Sequence, residues 1–317
     1  MNSQLTKFPR PLFITGPTAC GKSQIALDLA ERLNGEIISV DSMQVYRGLD
    51  IGTAKPALAE RKMVPHHLID VVDLDEAFDA AKFCRLAASA VAEIQGRVRV
   101  PIFCGGTGFY FKAFLEGLGE SPPANATLRA ELEQISIAKL LNELQERDPL
   151  TFEKIDRQNP RRVIRAVEVI RLTGKPFSEQ RAEWKRQRSS EVQMCFGMAR
   201  SRTELHFRIE NRVDEMFKHG LVAETEVLLH RGLEENQTAM QAIGYRQAVE
   251  YLRGKRSLAE TIELVKIRTR QFSKRQLTWF RRQMQLNWIH LGDAQEIDAA
   301  VKIEKAFHEI CVEEKQA

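Results

Sequence analysis

Pro11-Leu12-Phe13-Ile14-Thr15-Gly16-Pro17-Thr18-Ala19-Cys20-Gly21-Lys22-Ser23 decides how this chain is read. An apolar run ends in Gly16, and Gly21, Lys22 and Ser23 complete the spacing G-x-x-x-x-G-K-[ST]. Ile25, Ala26, Leu29, Ala30 and Leu33 follow at helical spacing. The motif therefore lies between a strand at 11–15 and a helix at 22–33, where backbone N–H groups and a helix N-terminus can cradle a phosphate chain. Lys22 can neutralise the terminal phosphates and Ser23 can hold Mg²⁺. The thiol of Cys20 stands at the same helix start, where a small side chain suffices.

Working outward, Glu36-Ile37-Ile38-Ser39-Val40 reads as a second strand, which makes a βαβ unit with parallel strands. Chemistry in such sheets lies at the carboxyl ends of strands. Asp41 is at such an end. It can serve as a general base, a Mg²⁺ ligand or a substrate-orienting group, or simply be the N-cap of a helix. Ala80 to Gln95 is Ala-rich with helical spacing, and Val100 to Cys104 reads as a buried strand. That strand runs into Gly105-Gly106-Thr107-Gly108-Phe109-Tyr110 and a helix through about Glu116, so Thr107 is delivered to the same sheet edge. The glycines also explain this turn without any role for Thr107.

Residues 47–80 read as mostly irregular, with a short strand near His66 to Asp70. Adjacent histidines on a strand point to opposite faces, which argues against His66 and His67 sharing a metal ion. Pro122-Pro123 marks a boundary, and residues 127–188 read as helices with turns at Asp148-Pro149, Asn159-Pro160 and Thr173-Gly174. A strand is expected at Val192–Met198. Helices are expected at Glu204–Lys218, Val222–His230, Gln247–Arg253 and Leu258 to about Gln285, then a polar helix or frayed tail. The fold class expected is α/β: a P-loop parallel sheet with a helical insertion and a helical C-terminal region. The expected divisions are 1–121 and 191–290 for the core, 122–190 for the insertion and 291–317 for an acidic tail.

Of 317 residues, 43% are hydrophobic and 28% charged, which fits a globular protein with a sizeable core and excludes a disordered chain. No apolar run approaches a membrane span, and Met1 to Arg10 has no secretory apolar segment. Five scattered cysteines without a C-x-x-C pair argue against a disulfide framework or zinc site, so a cytoplasmic setting is expected. No apolar heptad pattern is left over, so a monomer is expected. The net charge is only +4, yet Leu264 to Arg282 carries seven basic residues and no acidic one. Arg161 to Arg188 carries nine basic residues against three acidic ones. Two such patches suggest a polyanionic partner, and the aromatics interleaved in Leu264 to Arg282 either pack that helix down or suit unpaired bases. The bland alternative is a pair of solvated helix faces.

GPTACGKS at 16–23, DSMQVY at 41–46, GGTGFY at 105–110, PRRVIRAVE at 160–168, TGKP at 173–176, IGYR at 243–246 and KRQLTWFR at 274–281 occur in this order. Together they resemble the bacterial tRNA dimethylallyltransferases over about residues 10–290. Cys20, Ser23 and Phe109 stand where that family usually has Ser, Thr and Leu. The resemblance implies transfer of a dimethylallyl group from dimethylallyl diphosphate to N6 of the adenine 3′ of the anticodon, in tRNAs reading codons that begin with U. It implies that Gly16, Pro17, Thr18, Ala19, Cys20, Gly21, Lys22 and Ser23 hold the donor diphosphate or a nucleotide, with Mg²⁺ on Ser23. Asp41, Thr107 and Lys22 are implied to be catalytic.

The tRNA anticodon stem-loop is implied to meet four stretches of the chain. These are Asp41, Ser42, Met43 and Gln44; Arg161, Arg162, Val163, Ile164 and Arg165; Gln241, Ala242, Ile243, Gly244, Tyr245 and Arg246; and Lys274, Arg275, Gln276, Leu277, Thr278, Trp279, Phe280 and Arg281. Thr107 and Arg129 are implied to join them. A small-molecule or nucleotide kinase shares the P-loop and is the main alternative, although it has no need of the basic, aromatic C-terminal helix. An RNA-binding NTPase without transferase activity is a third class.

Overall fold

A computed structural model describes residues 9–119, 121–180, 194–292 and 296–316. The expected strand residues 192–193 and the basic residues Arg181, Lys185, Arg186 and Arg188 lie outside them.

The chain divides into two compact units, one formed by Met1–Lys112 with Gln187–Ala317 and the other by Ala113–Arg186. The first is built on a six-stranded sheet in the order β3-β2-β4-β1-β5-β6, parallel at every pairing. The strands are β1 (Leu12–Thr15), β2 (Gly35–Val40), β3 (His66–His67), β4 (Val100–Gly105), β5 (Cys195–Ala199) and β6 (Asn287–His290). β1, β2, β4 and β5 are buried throughout, as expected for strands covered on both faces. Their registers decide the site: Thr15 lies beside Gly105 and Gly197, and Val40 lies beside Gly105 on its other side. The chain therefore leaves β1, β2 and β4 at one level, delivering Gly16, Asp41 and Gly106 next to one another.

β5 starts and ends later than the 192–198 expectation, and β6 was not expected at all. Asn287-Trp288-Ile289-His290 is short, polar at both ends and lies at the sheet edge. Nothing in its pattern distinguishes it from a loop. It is fixed by a tertiary contact, the Trp288 ring lying so close to Gly197 that a Cβ there would come within 2.9 Å of Cε3.

The helices of this unit are α1 (Lys22–Arg32), α2 (Leu58–Met63), α3 (Ala80–Gly96), α10 (Arg202–Lys218), α11 (Leu221–Leu229), α12 (Tyr245–Leu252), α13 (Leu258–Gln283) and α14 (Glu296–Gln316); α4 (Gly108–Glu116) leads out of it. α1 buries Ile25, Ala26, Leu27, Leu29 and Ala30. α14 packs against α1, with Ala299, Ala300, Ile303 and Phe307 buried. The acidic C-terminal segment is thus a helix with an apolar face.

Glu36 of β2 is 1% exposed and gathers cations. Arg97 grips both carboxylate oxygens at 2.9 and 2.7 Å, Arg99 reaches one at 3.2 Å, and His67 Nε2 lies 2.7 Å from the other. Burial pushes this carboxyl up, but the hydrogen bonds and charges of Arg97 and His67 outweigh it and bring it down to about 2. A depressed carboxyl contributes stability that is full above its unfolded value near 4.5 and is lost as pH falls toward 2. Glu36→Gln is expected to cost about 3 kcal/mol, by leaving two arginines around a neutral group. Urea denaturation at neutral pH measures this, and the difference between variant and wild type should shrink as pH drops from 5 to 2. His67 is thereby engaged by Glu36, and His66 Nδ1 lies 2.7 Å from the Val64 carbonyl. Among the described residues no group of three His, Cys, Asp or Glu side chains could hold a metal ion.

The second unit is helical: α5 (Ala126–Glu133), α6 (Ile137–Arg147), α7 (Pro149–Lys154), α8 (Pro160–Thr173) and α9 (Phe177–Gln180). Leu132, Leu140, Leu144, Val163, Ile164, Val167 and Ile170 form its core. The turn signals mark helix boundaries. Asp148 and Asn159 are N-caps accepting from Thr151 and Arg162, each followed by Pro, and Gly174 ends α8 in the left-handed region.

Candidate active site

β1 ends one residue before Gly16, whose φ of 155° and neighbours exclude a side chain: a Cβ would come within 2.7 Å of the Met198 carbonyl oxygen. Gly21, at φ 100°, caps α1 without a side-chain partner, and the first turn of α1 carries no acidic residue. The open N–H groups and positive dipole end of α1 face the loop. Lys22 Nζ donates to the Pro17 carbonyl at 3.2 Å, which curls it over the loop, and Ser23 is exposed on the first turn.

Three arginines absent from the sequence reading brace this loop. Arg200, just past β5, donates to the Cys20 carbonyl at 2.8 Å. Arg208 and Arg212 of α10 donate to the Ala19 carbonyl at 2.9 Å and to Thr18 Oγ1 at 3.3 Å. Burial lowers the Arg212 pKa, and the nearby Asp41 carboxylate works against that. The spacing of four between Arg208 and Arg212, one face of a helix, was the available signal. Cys20 is fully buried.

At the ends of β2 and β4, both Asp41 and Thr107 fix the chain around them. Asp41 Oδ1 accepts from Met43 N at 2.8 Å and Gln44 N at 3.3 Å, so it caps a turn, and no helix starts here. Thr107 Oγ1 accepts from Ser42 N at 3.2 Å. The Asp41 carboxylate is thereby held in one orientation and remains half-buried. The Gln44 side chain accepts from Ser39 Oγ and donates to the Thr53 carbonyl. A cavity of about 230 Å³ adjoins the phosphate loop, with Ser23, Ser39, Gln44, Lys55, Glu60, His66 and Arg212 as polar lining and Ala26, Leu27, Ile37, Ala54, Pro56 and Cys104 as apolar lining.

α13 is locked to both glycine-rich turns. Gln276 accepts from Thr18 N at 2.8 Å and donates to the Gly106 carbonyl at 2.9 Å, bracketing the phosphate loop to the second turn. The Trp279 ring occupies the space over Gly108, where a Cβ would meet Cε3 at 2.1 Å. Phe280 is fully buried, edge-on to Phe111. Gln276 and Phe280 therefore face inward, so these two of the residues implied to meet the tRNA are buried within the protein. Lys274, Arg275, Thr278 and Arg281 are exposed, while Leu277 and Trp279 are half-buried. Lys274, Arg275, Thr278, Trp279, Arg282 and Gln283 line a groove of about 350 Å³.

In the 241–246 stretch Gln241 and Arg246 are exposed, Ile243 is half-buried, and Ala242, Gly244 and Tyr245 are buried. In the helical unit Arg161 and Arg162 are exposed, whereas Val163 and Ile164 belong to its core. Arg129 and Arg165 both donate to the fully buried Glu168 at 2.8 Å. Burial raises the Glu168 pKa, but the bonds from Arg165 and Arg129 prevail and lower it. These two arginines thus have an internal partner that the sequence spacing did not assign.

A phosphate-cradling loop between the first strand and helix of a parallel sheet, with a carboxylate at the next strand end, defines a P-loop α/β enzyme. The IPP transferase family profile matches residues 44–283. The chain is 43% identical over 309 residues to the tRNA dimethylallyltransferase of Desulforudis audaxviator, covering 93% of this chain and 99% of that one. It is 45% identical over 285 residues to tRNA dimethylallyltransferase 1 of Trichlorobacter lovleyi, covering 89% and 93%. Among solved structures it resembles the tRNA isopentenylpyrophosphate transferase of Bacillus halodurans, at a TM-score of 0.69 and 39% identity over 98% of this chain and 100% of that one. It also resembles a eukaryotic dimethylallyltransferase acting on tRNA, at a TM-score of 0.77 and 28% identity over 94% and 77%. The chain belongs to the IPP transferase family and is a prenyltransferase; nothing in these likenesses favours a kinase. No helix among the described residues is long and apolar enough to cross a membrane.

Proposed function

We propose that this chain transfers a dimethylallyl group from dimethylallyl diphosphate to N6 of the adenine 3′ of the anticodon, in tRNAs reading codons that begin with U. We further propose that it does so as a cytoplasmic monomer. The observation that carries this reading is the register that sets the phosphate loop, Asp41 and Thr107 side by side, with Gln276 bonding the loop to a helix whose outer face is basic.

The donor diphosphate lies on the N–H groups of the loop and the start of α1, with Lys22 on its terminal oxygens. N6 attacks C1 of the donor, the C1–O bond breaks with its electron pair leaving on diphosphate, and the amine proton passes to the Asp41 carboxylate. An aromatic amine is a weak nucleophile, so removal of its proton during bond formation assists attack. Growing charge on the leaving group meets fixed donors. Apolar Ala26, Leu27 and Ile37 give the cavity beside Ser23 one wall that suits a five-carbon chain, beside its polar lining.

Mg²⁺ suits the exposed hydroxyl of Ser23, since this ion takes few protein ligands and fills its shell with phosphate oxygens and water. Bound there, it would neutralise the diphosphate. Thr107, Ser42, Met43 and Gln44 surround the acceptor base. Gln241 and Arg246, Lys274, Arg275 and Arg281, and on the helical unit Arg129, Arg161, Arg162 and Arg165, offer contacts to the stem-loop.

The test is an anticodon stem-loop with adenine at the target position beside one with purine, which lacks the amine. Modification of the first alone supports the proposal, and equal modification of both refutes it. Lys274→Ala with Arg275→Ala is expected to weaken stem-loop binding and reduce the slope of log K against log salt by about 1 to 2. Filter binding between 50 and 300 mM salt measures it, and an unaltered slope removes that helix from the interface.

A further inference from the structure

We infer that Tyr245 and Glu224 are positioning residues that hold the Asp50–Ala54 turn and, through Gln44, the Asp41 end of the active site. This rests on the transferase reading above. Tyr245 opens α12 and is fully buried, so its side chain offers nothing to an RNA surface. Its hydroxyl accepts from Gly52 N at 3.0 Å and donates to Glu224 Oε1 of α11. Glu224 accepts from Ile51 N at 3.0 and 3.1 Å and from Asp50 N at 3.3 Å. Three consecutive amides of the turn thus end on one Tyr–Glu pair.

The fit is also steric, because a Cβ on Gly52 would come within 2.4 Å of the Tyr245 ring. The far side of the same turn holds the site. The carbonyls of Thr53 and Ala54 accept from Gln44 Nε2 at 3.2 and 3.4 Å. Gln44 N in turn donates to Asp41 Oδ1, and Gln44 and Ala54 both line the cavity beside Ser23. A continuous set of bonds runs from α11 and α12, through the turn, to the carboxylate that receives the proton. Displacing a reacting group by about 1 Å can cost on the order of a hundredfold in rate.

Tyr245→Phe keeps the ring against Gly52 and removes only the hydroxyl. It is expected to lower kcat about tenfold or more, with KM for the stem-loop changed less than about twofold. In a Gln44→Ala background it should lower kcat by less than about twofold further, since the connection is already cut. Glu224→Gln should behave as Tyr245→Phe does, and thermal melts confirm that each variant folds. Wild-type transfer with unaltered kcat in both Tyr245→Phe and Glu224→Gln, or with losses that multiply independently of Gln44→Ala, overturns the inference alone. A wild-type chain that transfers nothing overturns the transferase reading and this inference with it.

Discussion

Lys22→Ala is expected to lower kcat/KM for dimethylallyl diphosphate by about 10²- to 10³-fold. Lys22 is the cation drawn over the loop, with Nζ 3.2 Å from the Pro17 carbonyl. The charge it faces grows as the C–O bond breaks, and a fixed donor of this kind typically contributes 10² to about 10³ in rate. Arg200, Arg208 and Arg212 are committed to the loop's own carbonyls and to Thr18, so they shape the cradle without replacing the Lys22 ammonium. Lys22→Arg should recover little, because the planar guanidinium does not fit a point-charge position curled against Pro17. Steady-state kinetics with the donor varied at saturating stem-loop measure it. A loss below about tenfold would remove Lys22 from the diphosphate.

Asp41→Asn is expected to lower kcat by about 10²- to 10⁴-fold while leaving stem-loop affinity and thermal stability near wild type. The asparagine carbonyl oxygen can still accept from Met43 N and Gln44 N, so the turn after β2 keeps its cap. What is lost is the group that takes the proton from the attacking amine. Asp41→Ala removes cap and base together, and its additional cost in stability, about 1 kcal/mol, isolates the capping share. Equal turnover in Asp41→Asn and wild type would mean that the carboxylate only caps.

The local signals carried far. Gly16 to Ser23 and the strands around Asp41 and Thr107 were legible because βαβ geometry forces parallel strands whose carboxyl ends share an edge. Asp148-Pro149, Asn159-Pro160 and Gly174 were legible as helix boundaries because capping is set by neighbouring residues. What was not legible was set by distant partners. Arg200, Arg208 and Arg212 find carbonyl and hydroxyl oxygens of a loop far earlier in the chain, and nothing in their own neighbourhood records that. Gln276 and Phe280 sit in a basic run that reads as surface, yet helical geometry turns them inward onto Thr18 and Phe111. Tyr245 lies in a motif whose resemblance implies RNA contact, yet its side chain is buried against Gly52. β6 exists because Trp288 packs on Gly197, a contact that no short-range pattern encodes.

On the proposed mechanism this P-loop grips a departing diphosphate and transfers no phosphoryl group. The most direct measurement is a single-turnover reaction of the chain with Mg²⁺, an anticodon stem-loop and equal amounts of dimethylallyl diphosphate and ATP, with every product quantified. One diphosphate is expected for each adenine prenylated, with ATP recovered intact. ADP or phosphorylated RNA formed without prenylated adenine would contradict it.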